Sequence, residues 1–437
     1  MRVLLVSTYE LGHQPLHLGL PAALLQERGH QVRTLDLAID QLDLTLTGWA
    51  EKVAVSVPMH TAMRMGAELV RSIKHRHPQI PVCLYGLYAG VGEDTMADRL
   101  ISGEYLDQLV EWVEADRSMP RTSAPLGVSS QPQPARALLP PLERYSHLEL
   151  DGEQRQVGYV EASRGCRHRC RHCPIPVVYD GRYRRVEVEA VMADVEQLVS
   201  AGARHITFGD PDFLNGPAHA RRVVAAVHAA YPELTFDITA KVEHLLRHQE
   251  LLPSLVDAGM LFVVSAFETT NDRILGLLDK GHTNREMAES VVLVRRTGAD
   301  LRPSWLPFTP WTELQDLVDI FEFCERHDLW GSVDPVQLSI RLLIPKGSLL
   351  LDLPELLPYL GQWDVDRLTY RWRAADPRTE VLQATLAGIA EEGAGSPMER
   401  TLERMWTAVL EAAGEPPRTV PVGAATARPR LTEPWFC

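Results

Sequence analysis

The sequence predicts an α/β chain with two βα series: a doubly wound parallel sheet, then a partial (β/α)6 TIM-like barrel, then a helical C-terminal region. Three observations predict it. Short apolar strand patterns alternate with helical ones from Met1 to about Glu114. A stretch rich in Pro, Ser and Gln, Arg117 to Pro141, then breaks the periodicity as linkers do. The alternation restarts at Gly158, and its first strand runs directly into a cluster of cysteines. Alternating strands and helices build parallel sheets, because each crossover lays a helix on a sheet face.

The elements follow in order. Val3 to Ser7 reads as a buried strand and His17 to Arg28 as a helix ending at Gly29. Val53 to Val57 and Val82 to Tyr85 are further strands, separated by a helix over Thr61 to His75. Ligands of such sheets sit beyond the carboxyl ends of strands. The candidate rims are therefore Ser7 to His13, Ser56 to Thr61 and Gly86 to Gly90. In the second series the predicted strands are Gly158 to Ser163, His205 to Gly209, Thr235 to Ala240, Phe262 to Phe267, Leu301 to Leu306 and Pro335 to Leu342. Helical patterns lie between them, for example Glu187 to Ala201, Ala218 to Ala230, Asn284 to Arg296 and Thr312 to His327. Thr379 to Glu392 and Met398 to Ala413 read as surface helices. The expected boundaries are 1–116 for a Rossmann-like domain, 117–150 for the linker and 151–352 for the barrel. A helical region follows over 353–413, with a loosely ordered tail over 414–437.

The chain has 437 residues, 45% of them hydrophobic and 23% charged, which suits buried globular cores. A formal net charge of −14 repels phosphate backbones, so no nucleic acid is expected as partner. No apolar run is long enough to span a bilayer, and Met1 to Glu10 is too short for a signal peptide. Six cysteines with three clustered do not make a disulfide framework, and a reducing cytoplasm is the expected location.

The cluster is Cys166, Cys170 and Cys173, a CxxxCxxC spacing. Three thiolates on one short loop can hold three corners of a 4Fe–4S cube and leave the fourth iron open. His168 and His172 lie inside the loop, so a Cys/His zinc site is an alternative reading. Seven arginines (164, 167, 169, 171, 182, 184 and 185) crowd the same region, and most of them read as solvated.

This spacing resembles the signature of the radical S-adenosylmethionine (radical SAM) superfamily. The resemblance implies a 4Fe–4S cluster held by Cys166, Cys170 and Cys173. Its open iron would chelate S-adenosylmethionine, and an electron from the cluster would split a carbon–sulfur bond. It also implies a reductase, flavodoxin or ferredoxin as electron donor and a small-molecule substrate. The strand ends carry the further matches. Gly209, Asp210 and Asp212 occupy the segment that meets the amino group of S-adenosylmethionine. Lys241 stands where a basic residue often meets a carboxylate. Glu268, followed by Leu278 to Thr283, resembles a stretch of the branch with a cobalamin-binding-type domain. Arg341 lies near the turn beside the adenine. The N-terminal region resembles that cobalamin-binding-type domain through Ser56 to Thr61, Leu84 to Gly90 and Ile101 to Glu104. The DxHxxG motif whose histidine ligates cobalt is missing, so cobalamin is one expectation and a vestigial scaffold the other.

Cys83 and Cys324 fall in apolar patterns and read as core residues. Cys437, the last residue, has no packing role in the pattern and is a candidate catalytic thiol. Leu301 to Pro310, Asp334 to Gln337 and Leu431 to Cys437 resemble the CUAEP/CCAEP-tail radical SAM proteins, related to an enzyme of arsinothricin biosynthesis. The resemblance implies transfer of a 3-amino-3-carboxypropyl group to a soft heteroatom such as arsenic or selenium. It also carries the expectation that a selenocysteine codon follows Cys437. A cobalamin-dependent methyltransferase is the alternative, and a non-catalytic metal-binding or redox-sensing protein the alternative of another class.

Overall fold

A computed structural model of the chain describes residues 1–115, 131–419 and 428–432. The first sheet is all parallel and made of β1 (Arg2–Ser7), β2 (Gln31–Asp36), β3 (Lys52–Ser56), β4 (Val82–Gly86) and β5 (Arg99–Ser102). Its order is β2-β1-β3-β4-β5, the doubly wound order with a switch point between β1 and β3. Alternation along each strand fills two cores. Val3, Leu5 and Cys83 pack with the helices Leu16–Glu27 and Leu106–Glu114. Leu4, Val6 and Leu84 pack on the other face with the helix His60–Arg76. The edge strands β2 and β5 were not legible, because their exposed polar positions read as loops.

Half of the expected linker is built structure. Residues 131–150 carry buried Leu139, Leu142 and Tyr145. Buried Arg136 forks onto Asp194 at 2.9 and 2.8 Å and donates to the Gln14 side chain at 3.0 Å and the Tyr159 carbonyl at 2.7 Å. Pro- and Gln-rich composition hid this clamp, since one buried arginine leaves no periodic trace. The remainder of that stretch, 117–130, lies outside the described residues.

The second sheet begins with a hairpin, β6 (His147–Leu150) antiparallel to β7 (Glu153–Val160). A short pair, β8 (Ser163–Gly165) and β9 (Tyr183–Arg185), brackets the cysteine loop. Then β10 (His205–Phe208), β11 (Thr235–Thr239), β12 (Met260–Glu268) and β13 (Asp300–Trp305) extend the sheet in parallel from β7. Ile206, Phe208, Phe236, Ile238, Val263 and Phe267 face the helices, in one core with Val195, Val223 and Val291. Cys324 lies in that core too. The predicted sixth strand is reduced to one parallel bridge, Phe308 to Arg341. Pro335–Ser339 turn as a 3-10 helix instead, because proline has no amide for a ladder. The Gln337 side chain takes the place of a ladder bond and accepts from the Trp305 amide at 3.2 Å.

The region after 353 is not wholly helical. A hairpin of β14 (Leu360–Asp364) and β15 (Thr369–Trp372) precedes the helices Pro377–Glu392 and Met398–Ala413. Leu368 at its tip sits in the core of the N-terminal domain, and its carbonyl lies 3.3 Å from His60 Nε2. Part of the tail is also ordered. β16 (Arg430–Leu431) pairs antiparallel with β6, so the sheet reads β13-β12-β11-β10-β7-β6-β16. Arg428 meets Asp300 at 2.9 Å, Arg302 donates to the Pro429 carbonyl at 3.1 Å, and Arg430 meets Glu149 at 2.7 Å. The tail arginines thus tie both margins of the open barrel. Cys437 lies outside the described residues. Among the described residues no helix is long and apolar enough to cross a membrane.

Candidate active site

The cysteine loop leaves the carboxyl end of β7 through β8. Gly165 precedes Cys166 at φ +74°, and a Cβ there would meet the Arg182 carbonyl at 2.5 Å and the Tyr179 ring at 2.6 Å, so only glycine fits. Cys166 and Cys170 are 8% and 7% exposed, Cys173 is half-buried, and none of the three is in a disulfide. The loop lies across the strand ends. The Asn215 side chain sits 3.8 Å from Cys166 Sγ and accepts from the Arg167 amide at 3.1 Å, while the Arg171 amide donates to the Leu278 carbonyl at 2.9 Å.

Gly209 and Asp210 support this loop. A Cβ at Gly209 would overlap the Tyr159 ring at 2.0 Å. Asp210 accepts from the Ala162 amide at 2.9 Å and the Ser163 hydroxyl at 2.5 Å, at the point where the chain turns into the cysteines. Burial pushes its carboxyl up to about 7. The folded state therefore keeps a proton that the unfolded chain releases near pH ~4, and stability falls as pH rises from about 4 to 7. Asp210→Asn is expected to remove that slope, on the order of a few kcal/mol across the window. Thermal unfolding of both proteins from pH 5 to 8 checks it, and an unchanged slope would refute the assignment.

Glu268 ends β12 in the left-handed region, φ 67°, beside a register shift. A non-glycine residue held there is over-determined by its surroundings. Its Oε1 takes Lys280 Nζ at 2.8 Å and His172 Nε2 at 3.1 Å, all three shielded from solvent. Burial alone would raise this carboxyl, but Lys280 and His172 outweigh it and hold it well below the usual carboxylate range. Lys280 is raised, since Glu268 and the thiols of Cys170 and Cys173 outweigh its burial. His282, two residues on, is buried with neither ring nitrogen partnered.

Asp212 Oδ2 lies 2.6 Å from His244 Nδ1 and 3.8 Å from His168 Nε2, and the two histidine Nε2 atoms are 3.2 Å apart. Lys241, at the start of the helix Val242–Arg247, stands 3.9 Å from Glu243. Asp212, Lys241 and Glu268 therefore share the edge occupied by the cysteines. Arg341 does not. Its guanidinium lies 3.5 Å over the Trp372 ring, donates to the Trp372 carbonyl at 2.6 Å and meets Glu380 at 3.5 Å. His244, Asn215 and Lys280 were not singled out as site residues from the sequence. Only Lys280 left a signal, inside the Leu278 to Thr283 stretch.

The arginines divide. Arg169 is solvated beside Asp180, whereas Arg164 is 6% exposed and reaches Glu161 at 2.6 Å and Glu104 at 3.6 Å. Glu104 also takes Arg184 at 2.9 Å and the Tyr179 hydroxyl at 2.9 Å. Glu161 faces His17 at 3.5 Å, and His17 meets Glu10 at 3.1 Å. One buried chain of alternating charge thus runs from the rim of the first sheet to the cysteine loop. Beside it, a cavity of about 310 Å³ opens between Tyr88, Val91 and Ser102 of the first domain, His172, Cys173 and Val177 of the loop, and Lys346.

Residues 160–319 match the description of the radical SAM superfamily. The chain carries a radical SAM domain. It begins at the end of β7 and closes within the helix after β13, so it contains the cysteine loop and all the strand-end residues except Arg341. Curated relatives include a tRNA-2-methylthio-N(6)-dimethylallyladenosine synthase of Chlorobium chlorochromatii, 26% identical over 163 residues, covering 35% of this chain and 35% of that protein. An uncharacterized methyltransferase of Synechocystis is 28% identical over 170 residues, covering 37% of this chain and 31% of that one. The chain therefore spans about a third of the length of these relatives. The fold resembles the cobalamin-dependent S-adenosylmethionine radical enzyme OxsB, with a TM-score of 0.70, 14% identity, and coverage of 94% of this chain and 71% of that one. It also resembles the radical S-adenosylmethionine methyltransferase TsrM of Kitasatospora setae, with a TM-score of 0.58, 18% identity, and coverage of 74% and 71%.

The residues of the radical SAM domain fit a 4Fe–4S cluster. Three cysteines outside any disulfide share one loop, and Lys280 supplies a buried cation against the charge of cluster and thiolates. Burial and Asp212 hold the Cys166 thiol above its ordinary range, so metal binding is what would deprotonate it. For cobalamin the open space lies at the Gly86 to Gly90 rim of the first sheet, where Tyr88 and Gly90 line the cavity with Cys173. Glu10 is held by His17 of its own domain, His13 lies against Tyr159 of the barrel, and the His60 ring meets the Leu368 carbonyl of the C-terminal hairpin.

Proposed function

We propose that the protein is a radical SAM transferase that cleaves S-adenosylmethionine reductively and passes a carbon group derived from it to a small molecule. The observation that carries the reading is the cysteine loop, whose three cysteines, none in a disulfide, stand at a strand end beside Asp212, Lys241 and Glu268. A 4Fe–4S cluster with one open iron supplies the electron for this cleavage when bound. Cys166, Cys170 and Cys173 would hold it, and Lys280 would balance its charge. Glu268 offers a carboxylate to an ammonium group, and Lys241 offers a cation to a carboxylate. Gly209 and Asp210 act by shaping the loop. The exposed Arg169 suits contact with an acidic flavodoxin or ferredoxin.

The type supported best is the cobalamin-dependent methyltransferase, because the fold resembles both the cobalamin-dependent enzyme OxsB, over both domains, and the methyltransferase TsrM. The second reading is transfer of the 3-amino-3-carboxypropyl group to arsenic or selenium, with Cys437 as a soft ligand. It is favoured by the anchoring of residues 428–432 across the barrel margin. Anaerobic reconstitution, dithionite and S-adenosylmethionine test both. The first reading expects 5′-deoxyadenosine with S-adenosylhomocysteine, and one equivalent of hydroxocobalamin bound. The second expects methylthioadenosine. Absence of all three products would sink the enzyme assignment.

A further inference from the structure

We infer that His168, Asp212 and His244 form a second metal site, for one divalent first-row transition ion such as zinc, beside the cysteine loop. Their ligand atoms lie within 4.8 Å of one another. The contact between Asp212 Oδ2 and His244 Nδ1 is the informative one. The two atoms are 2.6 Å apart, yet neither makes an aligned hydrogen bond, and both are buried, Asp212 at 0% and His244 at 4% exposure. Buried polar atoms without partners are costly. Two of them crowded together without alignment are aimed at a common point, as the ligands of a cation are.

The surroundings match such a site. Asp212 Oδ1 is held by the Leu214 amide at 3.1 Å, which leaves Oδ2 as the ligand atom. His168 Nδ1 faces Glu243 Oε2 at 3.6 Å, so a carboxylate backs the far side of the imidazole. Outer carboxylates of this kind orient metal-bound histidines. Glu243 is itself shared with Arg247 and Lys241. Two imidazoles and one carboxylate suit zinc or ferrous iron, and three protein ligands leave positions open for water or for an oxygen or nitrogen donor of the substrate. Three elements meet here: the cysteine loop, the turn after β10 and the helix after β11. The inference goes beyond the transferase reading, which needs no second metal.

The test uses the anaerobically reconstituted full chain with its cluster intact, dialysed against zinc alone. Zinc and iron are counted per chain, and the zinc environment is read by X-ray absorption. One zinc beyond the cluster iron is expected, with nitrogen and oxygen neighbours and no sulfur. His244→Ala is expected to weaken zinc binding at least about 100-fold, and Glu243→Gln about tenfold, with cluster iron unchanged in both. Sulfur neighbours around zinc, or binding undiminished in His244→Ala, would overturn the site. Loss of the cluster in the wild-type chain would count against the transferase reading instead.

Discussion

Cys166→Ala, Cys170→Ala and Cys173→Ala should each abolish cluster assembly and lower S-adenosylmethionine cleavage by on the order of 10³-fold or more, a barrier increase above about 4 kcal/mol. The three should be nearly equivalent, because each thiolate holds a different iron and two thiolates do not retain a cube. The measurements are iron and sulfide per chain, the broad visible absorption of the cluster, and 5′-deoxyadenosine or methylthioadenosine formed. Cys83→Ala and Cys324→Ala provide the contrast. Both residues are packed in apolar cores that do not include the loop cysteines, and both variants should keep iron while losing some stability. A Cys170→Ala protein with full iron content would disprove the assignment.

Arg164→Leu should be among the most destabilising single changes, at about 3–5 kcal/mol, because it leaves Glu161 with only His17 and removes one of two cations from Glu104 in a buried setting. The physical reason is asymmetry. A buried pair adds little net stability over apolar packing, yet removing one partner leaves the other uncompensated. The double variant Arg164→Leu/Glu161→Leu should therefore recover most of the loss. Thermal unfolding and limited proteolysis across the domain junction would measure both. A loss below about 1 kcal/mol would show that water reaches the network.

The same network sets a pH window. Burial alone would raise the Glu161 carboxyl, but Arg164 and His17 outweigh it and hold it low. Its contribution is present above the unfolded carboxylate value near ~4.3 and is lost as pH falls toward the folded value. Burial would lower His17, but Glu10 outweighs it and the imidazole is raised. That contribution is complete below about 6.5 and is lost as pH rises through the raised value. Contact between the two domains should thus be firmest in mildly acidic solution.

The strand carrying the cysteine loop, its position at a carboxyl edge and the two βα series were legible because period-two apolar runs and a local cysteine spacing are properties of neighbouring residues. The clamp at Arg136, the hairpin whose Leu368 enters the first core and the tail strand Arg430–Leu431 were not, since each is short, polar or isolated in the chain. Arg164 and Arg169 look alike as sequence. One is buried between two carboxylates and the other is in water, and only the approach of Glu104 from the first domain separates them.

What the sequence determined by itself is the metal-binding loop and the alternation that places it at a strand end, because both are written in contiguous residues. What only the tertiary structure decided is the company those cysteines keep. Lys280 and His172 meet on Glu268 across 12 and 96 residues, and His168 meets His244 across 76. Such meetings depend on strand order and helix crossings, and a side chain's charge and donor atoms acquire a role only when burial removes the water that would otherwise satisfy them.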